Sequence, residues 1–234
     1  KVVDIVSSIE ALKHARDNLG TWVQSQPRSV DFPMNCFGAS AHVRYQPKGV
    51  VGIISPWNYP ITLCFSPLAG ALAAGNSVMI KPSEFTPITS ALLEKLISEA
   101  YDEEVVAVVT GDADVGKRFS CIPFNHLFFT GSTSTGRLVM KQAAENLTPV
   151  TLELGGKSPT VIGRSADLST AAKRIALGKS MNAGQTCIAP DYVFVPEKSL
   201  KRFINEFIKA TDAMYPGGAD KSKDYPSIIN KKHL

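Results

Sequence analysis

Val50-Val51-Gly52-Ile53-Ile54 is a short apolar run stopped by Ser55-Pro56; the mostly apolar stretch Ile61 to Ala74 follows, Gly75-Asn76 ends it, and Ser77-Val78-Met79-Ile80 is apolar again before Pro82. A brief Val/Ile-rich run bounded by turn residues reads as a buried strand, and the longer run between the two reads as a helix. Strand, helix and strand in about thirty residues make a βαβ unit, whose crossover returns the chain to the same end and so pairs the strands in parallel.

The alternation continues outward. Thr86-Pro87 opens a helix to about Ala100, with Pro87 at a favoured first-turn position. Val105 to Val109 reads as strand, Val115 to Phe119 as a short helix, His126 to Phe129 as strand and Thr135 to Glu145 as helix. Val150 to Leu154 and Pro159 to Ile162 read as strands, Leu168 to Met181 as helix, Asp191 to Val195 as strand and Ser199 to Met214 as helix. Upstream, Ile5, Ile9, Leu12, Leu19 and Val23 mark an amphipathic helix over Val3 to Val23, and Pro27 and Pro33 bound an irregular stretch. The predicted fold class is α/β, a parallel sheet with helices on both faces.

Composition narrows the function. The 25 basic and 21 acidic residues are interspersed, net charge is +4, and the one basic cluster, Lys231-Lys232, suits a solvated tail. No basic stripe with interleaved aromatics points to nucleic acid. No apolar run reaches the ~18 residues a bilayer span needs; Ser66, Pro67 and Gly70 break the longest. Lys1 to Leu19 mixes charges at helical spacing, unlike a secretory signal. Cys36, Cys64, Cys121 and Cys187 form no CxxC pair, which argues against zinc and a disulfide framework and suits a reducing cytoplasm. The expectation is a cytoplasmic protein with no membrane, nucleic-acid or metal partner.

In parallel sheets ligands sit beyond the carboxyl ends of the strands, so the turns there are where chemistry is sought. They hold Ser55-Pro56-Trp57-Asn58, Lys81-Pro82-Ser83-Glu84, Thr130 to Gly136, and Glu153-Leu154-Gly155-Gly156; Asn182-Ala183-Gly184-Gln185-Thr186-Cys187 follows a helix instead. Gly131-Ser132 leaves a strand and opens a helix, whose N–H groups and dipole can hold a pyrophosphate, although the spacing is not GxGxxG. Gly156-Lys157-Ser158 and Gly178-Lys179-Ser180 look like P-loop ends, but Thr151 and Lys173 stand where the first glycine is required. Lys81 and Glu84 can hydrogen-bond ribose hydroxyls, and the carboxylate would repel a 2′-phosphate, favouring NAD over NADP; the same residues also suit a solvated loop.

A lone cysteine is usually a small buried hydrophobe, and a nucleophile needs a base and an oxyanion donor besides the thiol. Glu153 can activate water at a strand end, and Asn58 can donate its amide N–H to an oxyanion alongside the Cys187 backbone N–H. His14, His42, His126 and His233 have no ligand spacing and offer no competing base.

Taken together, five ordered blocks resemble the aldehyde dehydrogenase superfamily: Pro56-Trp57-Asn58-Tyr59-Pro60, Lys81-Pro82-Ser83-Glu84, Phe129-Thr130-Gly131-Ser132, Leu152 to Pro159, and Gly184-Gln185-Thr186-Cys187. The resemblance covers essentially the whole chain, and Tyr45 to Gly52 with Met181 to Val193 look like its coniferyl-aldehyde and class 3 branch. It implies a Rossmann-like NAD(P)-binding domain over 1–154 and part of an α/β catalytic domain over 155–234. It implies that Cys187 attacks the aldehyde, that Asn58 and the Cys187 N–H hold the oxyanion, and that Glu153 activates the water releasing a carboxylic acid. Ser55, Pro56, Trp57, Lys81, Ser83, Glu84, Gly131, Ser132, Leu154 and Gly155 are the implied cofactor-binding residues, with NAD expected and NADP possible, and Tyr59 is implied to line the substrate tunnel. Aromatic or hydrophobic, coniferaldehyde-like substrates and a homodimeric full-length enzyme are implied as well. Members are roughly twice as long, so the resemblance implies a fragment, weakly active or inactive alone, with Val193, Phe194 and Val195 short of their cover. The rival readings are an inactive nucleotide-binding fragment of the same fold and a CoA-acylating dehydrogenase, which needs no water-activating base such as Glu153.

Overall fold

The computed structural model describes residues 2–234 and divides into two compact units, one ending at Glu153 and the other spanning Leu154–Leu234. In the first, a wide helical turn over Val2–Val6 runs into α1 (Ser7–Trp22). Strands β1 (Gln26–Arg28) and β2 (Ala41–Val43) pair antiparallel, so the stretch expected to be irregular carries a short ladder. There follow β3 (Val50–Ile54), α2 (Thr62–Ala73), β4 (Ser77–Lys81), α3 (Pro87–Ala100), β5 (Val106–Val108), α4 (Ala113–Phe119), β6 (His126–Gly131), α5 (Thr133–Ala144) and β7 (Val150–Leu154).

These strands form one sheet in the order β5-β4-β3-β6-β7. Strand β3 pairs in parallel with both β4 and β6, and β4 with β5. His126, at the start of β6, meets Thr151 early in β7 at 2.9 Å, so these strands also run the same way. Because the chain first steps from β3 towards β5 and later from β6 towards β7, the strand order reverses at the β3–β6 edge, where such sheets open a crevice.

Val51, Ile53, Val78, Ile80 and Val106 face Cys64 and Leu68 of α2 and Leu93 and Ile97 of α3 in one buried core. Two side-chain amides anchor the beginning of β3. Buried Asn76 accepts from the Lys48 and Gly49 N–H groups (2.7 and 3.0 Å) and donates to the Ala71 carbonyl; Asn125 accepts from Val50 N–H at 2.8 Å. Helix α1 packs on α2 with Ser8 and Ala15 buried; of the expected apolar stripe Leu12 is half-buried, while Ile5, Ile9, Leu19 and Val23 are exposed.

In the second unit β8 (Ser158–Val161) and β9 (Pro190–Phe194) pair in parallel with an irregularity between Ser158 and Pro159. Helices α6 (Leu168–Ser180) and α7 (Leu200–Met214) cover one face, closing a core of Ile162, Leu168, Ala172, Ile175 and Phe203. Val193 and Val195 pack on that core, whereas Tyr192 and Phe194 are exposed. Of the three residues expected to lack cover, only Phe194 does, because alternate strand residues point to opposite faces.

Gly52 sits at the centre of the sheet with no room for a methyl group. A Cβ there would come within 2.6 Å of the Phe124 ring and 2.9 Å of Leu127. Both neighbours are buried, and Phe124 is wedged against Phe119 with ring centroids 4.9 Å apart. Gly52→Ala is expected to destabilise the chain by about 1–3 kcal/mol, the usual cost of overpacking, read as a shift in the urea unfolding midpoint with an unchanged slope.

Candidate active site

The register of the sheet aligns its turns. Ile54 pairs with Lys81 on one side and Phe129 on the other, and Ser55 N–H donates to the Lys81 carbonyl at 3.1 Å. The residues following β3, closing β4 and closing β6 therefore share one edge. Ser55 is buried there, and its hydroxyl lies beside the Cys64 thiol. Beneath it, burial pushes the Cys64 thiol up to about 12, with the nearby Ser55 hydroxyl pulling weakly the other way.

From Ser55 the chain runs through buried Pro56 and half-buried Trp57, Asn58 and Tyr59 into α2. That helix has no capping side chain of its own: Ile61 stands at its N-cap. The cap comes from Asp4, whose Oδ1 accepts from Ile61 N–H (3.2 Å) and Thr62 N–H (2.7 Å). A carboxylate suits that place because the first-turn donors lack helical acceptors and the helix dipole is positive there. The Asn58 turn is thus held at both ends, by β3 before it and by the capped helix after it.

Across the edge, Lys81 Nζ meets Glu84 Oε2 at 2.8 Å, with the lysine side chain 3% exposed and the glutamate 34%. A buried ammonium is tolerated only when paired, so Glu84 secures Lys81 where it stands. Ser83 between them is buried; its carbonyl accepts from the Ser90 hydroxyl (2.8 Å) and its own hydroxyl accepts from Phe85 N–H (3.3 Å). At the end of β6, Gly131 leads into Ser132, which caps α5 by accepting from Thr135 N–H at 3.2 Å. Thr133 and Ser134 are exposed, and helix geometry gives their N–H groups no intrahelical acceptor. Glu153, exposed, is the penultimate residue of β7 and belongs to the same edge. A dinucleotide fits this donor set: a cation–carboxylate pair suits ribose hydroxyls and a free helix start suits phosphates.

Leu154, Gly155 and Cys187 belong to the second unit. Leu154 is half-buried, Gly155 exposed, and Cys187 lies exposed in the loop between α6 and β9. That loop has an unusual backbone: Asn182, Ala183 and Gly184 all have positive φ, at 50°, 53° and 76°. Left-handed geometry costs a non-glycine residue roughly 1–2 kcal/mol, and such strain persists only where surrounding bonds over-determine it. Glycine is further required at 184, since a Cβ there would lie 3.3 Å from the Lys179 carbonyl oxygen. The loop is tied down by Ser158 Oγ donating to the Cys187 carbonyl at 3.4 Å and by several bonds of the Gln185 carboxamide.

The sequence reading assigned no role to Asp4 or to the Gln185 side chain. Asp4 lies 57 residues from its first partner, and no local signal announces such a cap. Among the described residues no group of three His, Cys, Asp or Glu side chains could hold a metal ion, and no helix is long and apolar enough to cross a membrane.

The model of the aldehyde dehydrogenase family matches residues 3–234. The chain belongs to the aldehyde dehydrogenase family. NAD(P)-dependent oxidation of aldehydes is the general chemistry of that family. This aldehyde dehydrogenase chain is 51% identical over 231 residues to the coniferyl aldehyde dehydrogenase of Pseudomonas sp. (strain HR199), covering 99% of this chain and 47% of that protein. Among solved structures it resembles substrate-bound Staphylococcus aureus AldH, with a TM-score of 0.92 and 40% identity over 98% of this chain and 50% of that one. It also resembles a Mycobacterium tuberculosis aldehyde dehydrogenase complexed with NAD+, with a TM-score of 0.79 and 31% identity over 88% of this chain and 42% of that one. The chain spans about half the length of the curated relatives it matches.

The thiols differ enough to be told apart. Cys36, Cys121 and Cys187 are exposed, whereas Cys64 is buried and stays protonated well above neutral pH. A chromogenic thiol reagent at mildly alkaline pH is expected to modify three cysteines of the native chain and to reach Cys64 only after denaturant is added. Prompt native labelling of Cys64, located by peptide mapping, would contradict the packing described.

Proposed function

We propose that the full-length protein carrying this chain oxidises a hydrophobic, aromatic aldehyde of the coniferaldehyde kind to its carboxylic acid with NAD, using Cys187 as nucleophile. One observation carries the reading: Asn58, the Lys81–Glu84 pair, the Ser132 start of α5 and Glu153 all lie at one edge of one parallel sheet. The likeness to a coniferyl aldehyde dehydrogenase supports the substrate class.

In this mechanism Cys187, which is exposed, reacts as the thiolate after its proton has passed to solvent. Its Sγ bonds to the aldehyde carbon as the C=O π pair moves to oxygen, while the Asn58 amide and the Cys187 backbone N–H donate to that oxygen as it gains charge. NAD, which Lys81, Glu84 and the first turn of α5 would hold, would supply the hydride acceptor that this oxidation to the thioester needs. Glu153 takes a proton from water, the hydroxide attacks the thioester carbon, and the C–S bond breaks to release the carboxylic acid and restore the cysteine. Lys81 and Glu84 hold the adenosine ribose hydroxyls, with Ser83 fixing their turn. Gly131, Ser132 and the first turn of α5 hold the pyrophosphate, while Ser55, Pro56, Trp57, Leu154 and Gly155 wall the cofactor. Tyr59 lines the substrate entry beside Asn58. A homodimer is proposed for the full-length protein on the strength of the branch resemblance.

The test is NADH formation by the full-length protein with an aromatic aldehyde. Cys187→Ala is expected to give no NADH. Glu153→Gln is expected to give one burst per active site and then to turn over at least ~100-fold more slowly, the usual worth of a general base. NAD is expected to be preferred over NADP, and Glu84→Gln to narrow that preference. Unchanged turnover in Cys187→Ala would remove the nucleophile assignment.

A further inference from the structure

We propose that the Gln185 carboxamide is a positioning group for Cys187, pinning the nucleophile's loop to the segment Ser227–Ile229; the proposal rests on the reading of Cys187 given above. Four hydrogen bonds carry it. Gln185 Nε2 donates to the Asn182 carbonyl (3.0 Å) and to the Ser227 carbonyl (3.2 Å), and Oε1 accepts from Ile229 N–H at 2.9 Å. Gln185 N–H donates to the same Asn182 carbonyl at 3.0 Å.

The carboxamide therefore does two things at once. Towards Asn182 it closes a tight ring around Ala183 and Gly184, two of the three consecutive positive-φ residues, and so helps hold the strained backbone in place. Towards Ser227 and Ile229 it behaves like a peptide unit of a neighbouring strand, donating to one residue's carbonyl and accepting from the N–H two residues on. Only a side chain carrying both a donor and an acceptor in one plane does this, and asparagine is one methylene shorter. The anchored segment is itself held back to the end of α7, where Tyr225 packs edge-on against Tyr215 with centroids 5.2 Å apart. Cys187 lies two residues beyond Gln185, and its own carbonyl is held by Ser158. The sulfur's placement thus depends on an anchor that reaches a part of the chain more than forty residues away.

The experiment uses the full-length protein and three forms: wild type, Gln185→Met, which keeps length and loses every polar bond, and Ile229→Pro, which leaves Gln185 intact and deletes the N–H it accepts. Amide hydrogen exchange is followed for peptides covering 182–188 and 227–230, together with kcat, the KM for NAD and the Tm. In both variants exchange is expected to rise at least tenfold in the two peptides together and kcat to fall at least tenfold, with KM for NAD within twofold and Tm nearly unchanged. If Gln185→Met does not fold, Ile229→Pro alone decides. Unchanged exchange in the 182–188 peptide overturns the anchor, and raised exchange with wild-type kcat overturns the positioning role. A wild type that oxidises no aldehyde sinks the functional reading instead, while the exchange data still decide whether Gln185 couples the two segments.

Discussion

The register of β3 between β4 and β6 is the constraint on which the first unit depends. Side chains alternate along a strand, so a slip of one residue would carry Val51 and Ile53 out of the core and break the alignment of Ile54 with Lys81 and Phe129. The register is set at the other end. Asn76 and Asn125 seize the N–H groups of residues 48–50 before the strand begins, and a strand of fixed rise, ~3.3 Å per residue, then delivers Ser55 to one place. The absence of a side chain at Gly52 lets Phe124 lie against the strand midway and closes the remaining freedom. The edge that carries the proposed site is thus positioned from the opposite end of the sheet.

Side-chain groups standing in for peptide groups recur, and their chemistry is matched to the task. Where a turn must receive a donor and an acceptor, the residue is an amide, as at buried Asn76 and half-buried Gln185; a carboxylate there would lose the donor. Where only donors point outward, at the start of α2, the residue is Asp4, and its charge gains from the helix dipole. Asp112 and Asp167 do the same for α4 and α6, and the hydrogen bonds from Thr170 hold the Asp167 carboxyl below its ordinary range.

What was legible in the sequence follows from this. Strands β3, β4 and β7 and helices α2 and α3 announce themselves through apolar runs bounded by Pro, Gly and Asn, and their observed limits fall within a residue or two of the reading. The turns at the sheet edge were legible too, since a parallel sheet puts ligands at one end only. The packing of α1 was legible only in part: Leu12 of its apolar period is half-buried, but Ile5, Ile9, Leu19 and Val23 stay exposed while Ser8 and Ala15 are buried. Nor were the β1–β2 ladder, the left-handed run at Asn182–Gly184 or the long-range bonds of Asp4 and Gln185, all of which are decided by partners distant in sequence.

The Lys81–Glu84 pair shows how one local geometry can bear on cofactor choice. The lysine is almost wholly buried and has little freedom to leave; the glutamate reaches solvent and can turn. Such a pair presents little net charge, so a neutral diol can accept from the ammonium and donate to the carboxylate without either ion losing its partner's field. A 2′-phosphate brings charge that the lysine favours and the glutamate opposes at equally short range, and it can be admitted only if Glu84 swings outward. That motion would leave a buried ammonium dependent on the phosphate alone. The asymmetry in burial, more than the presence of the carboxylate, is therefore what tilts the proposed site towards NAD.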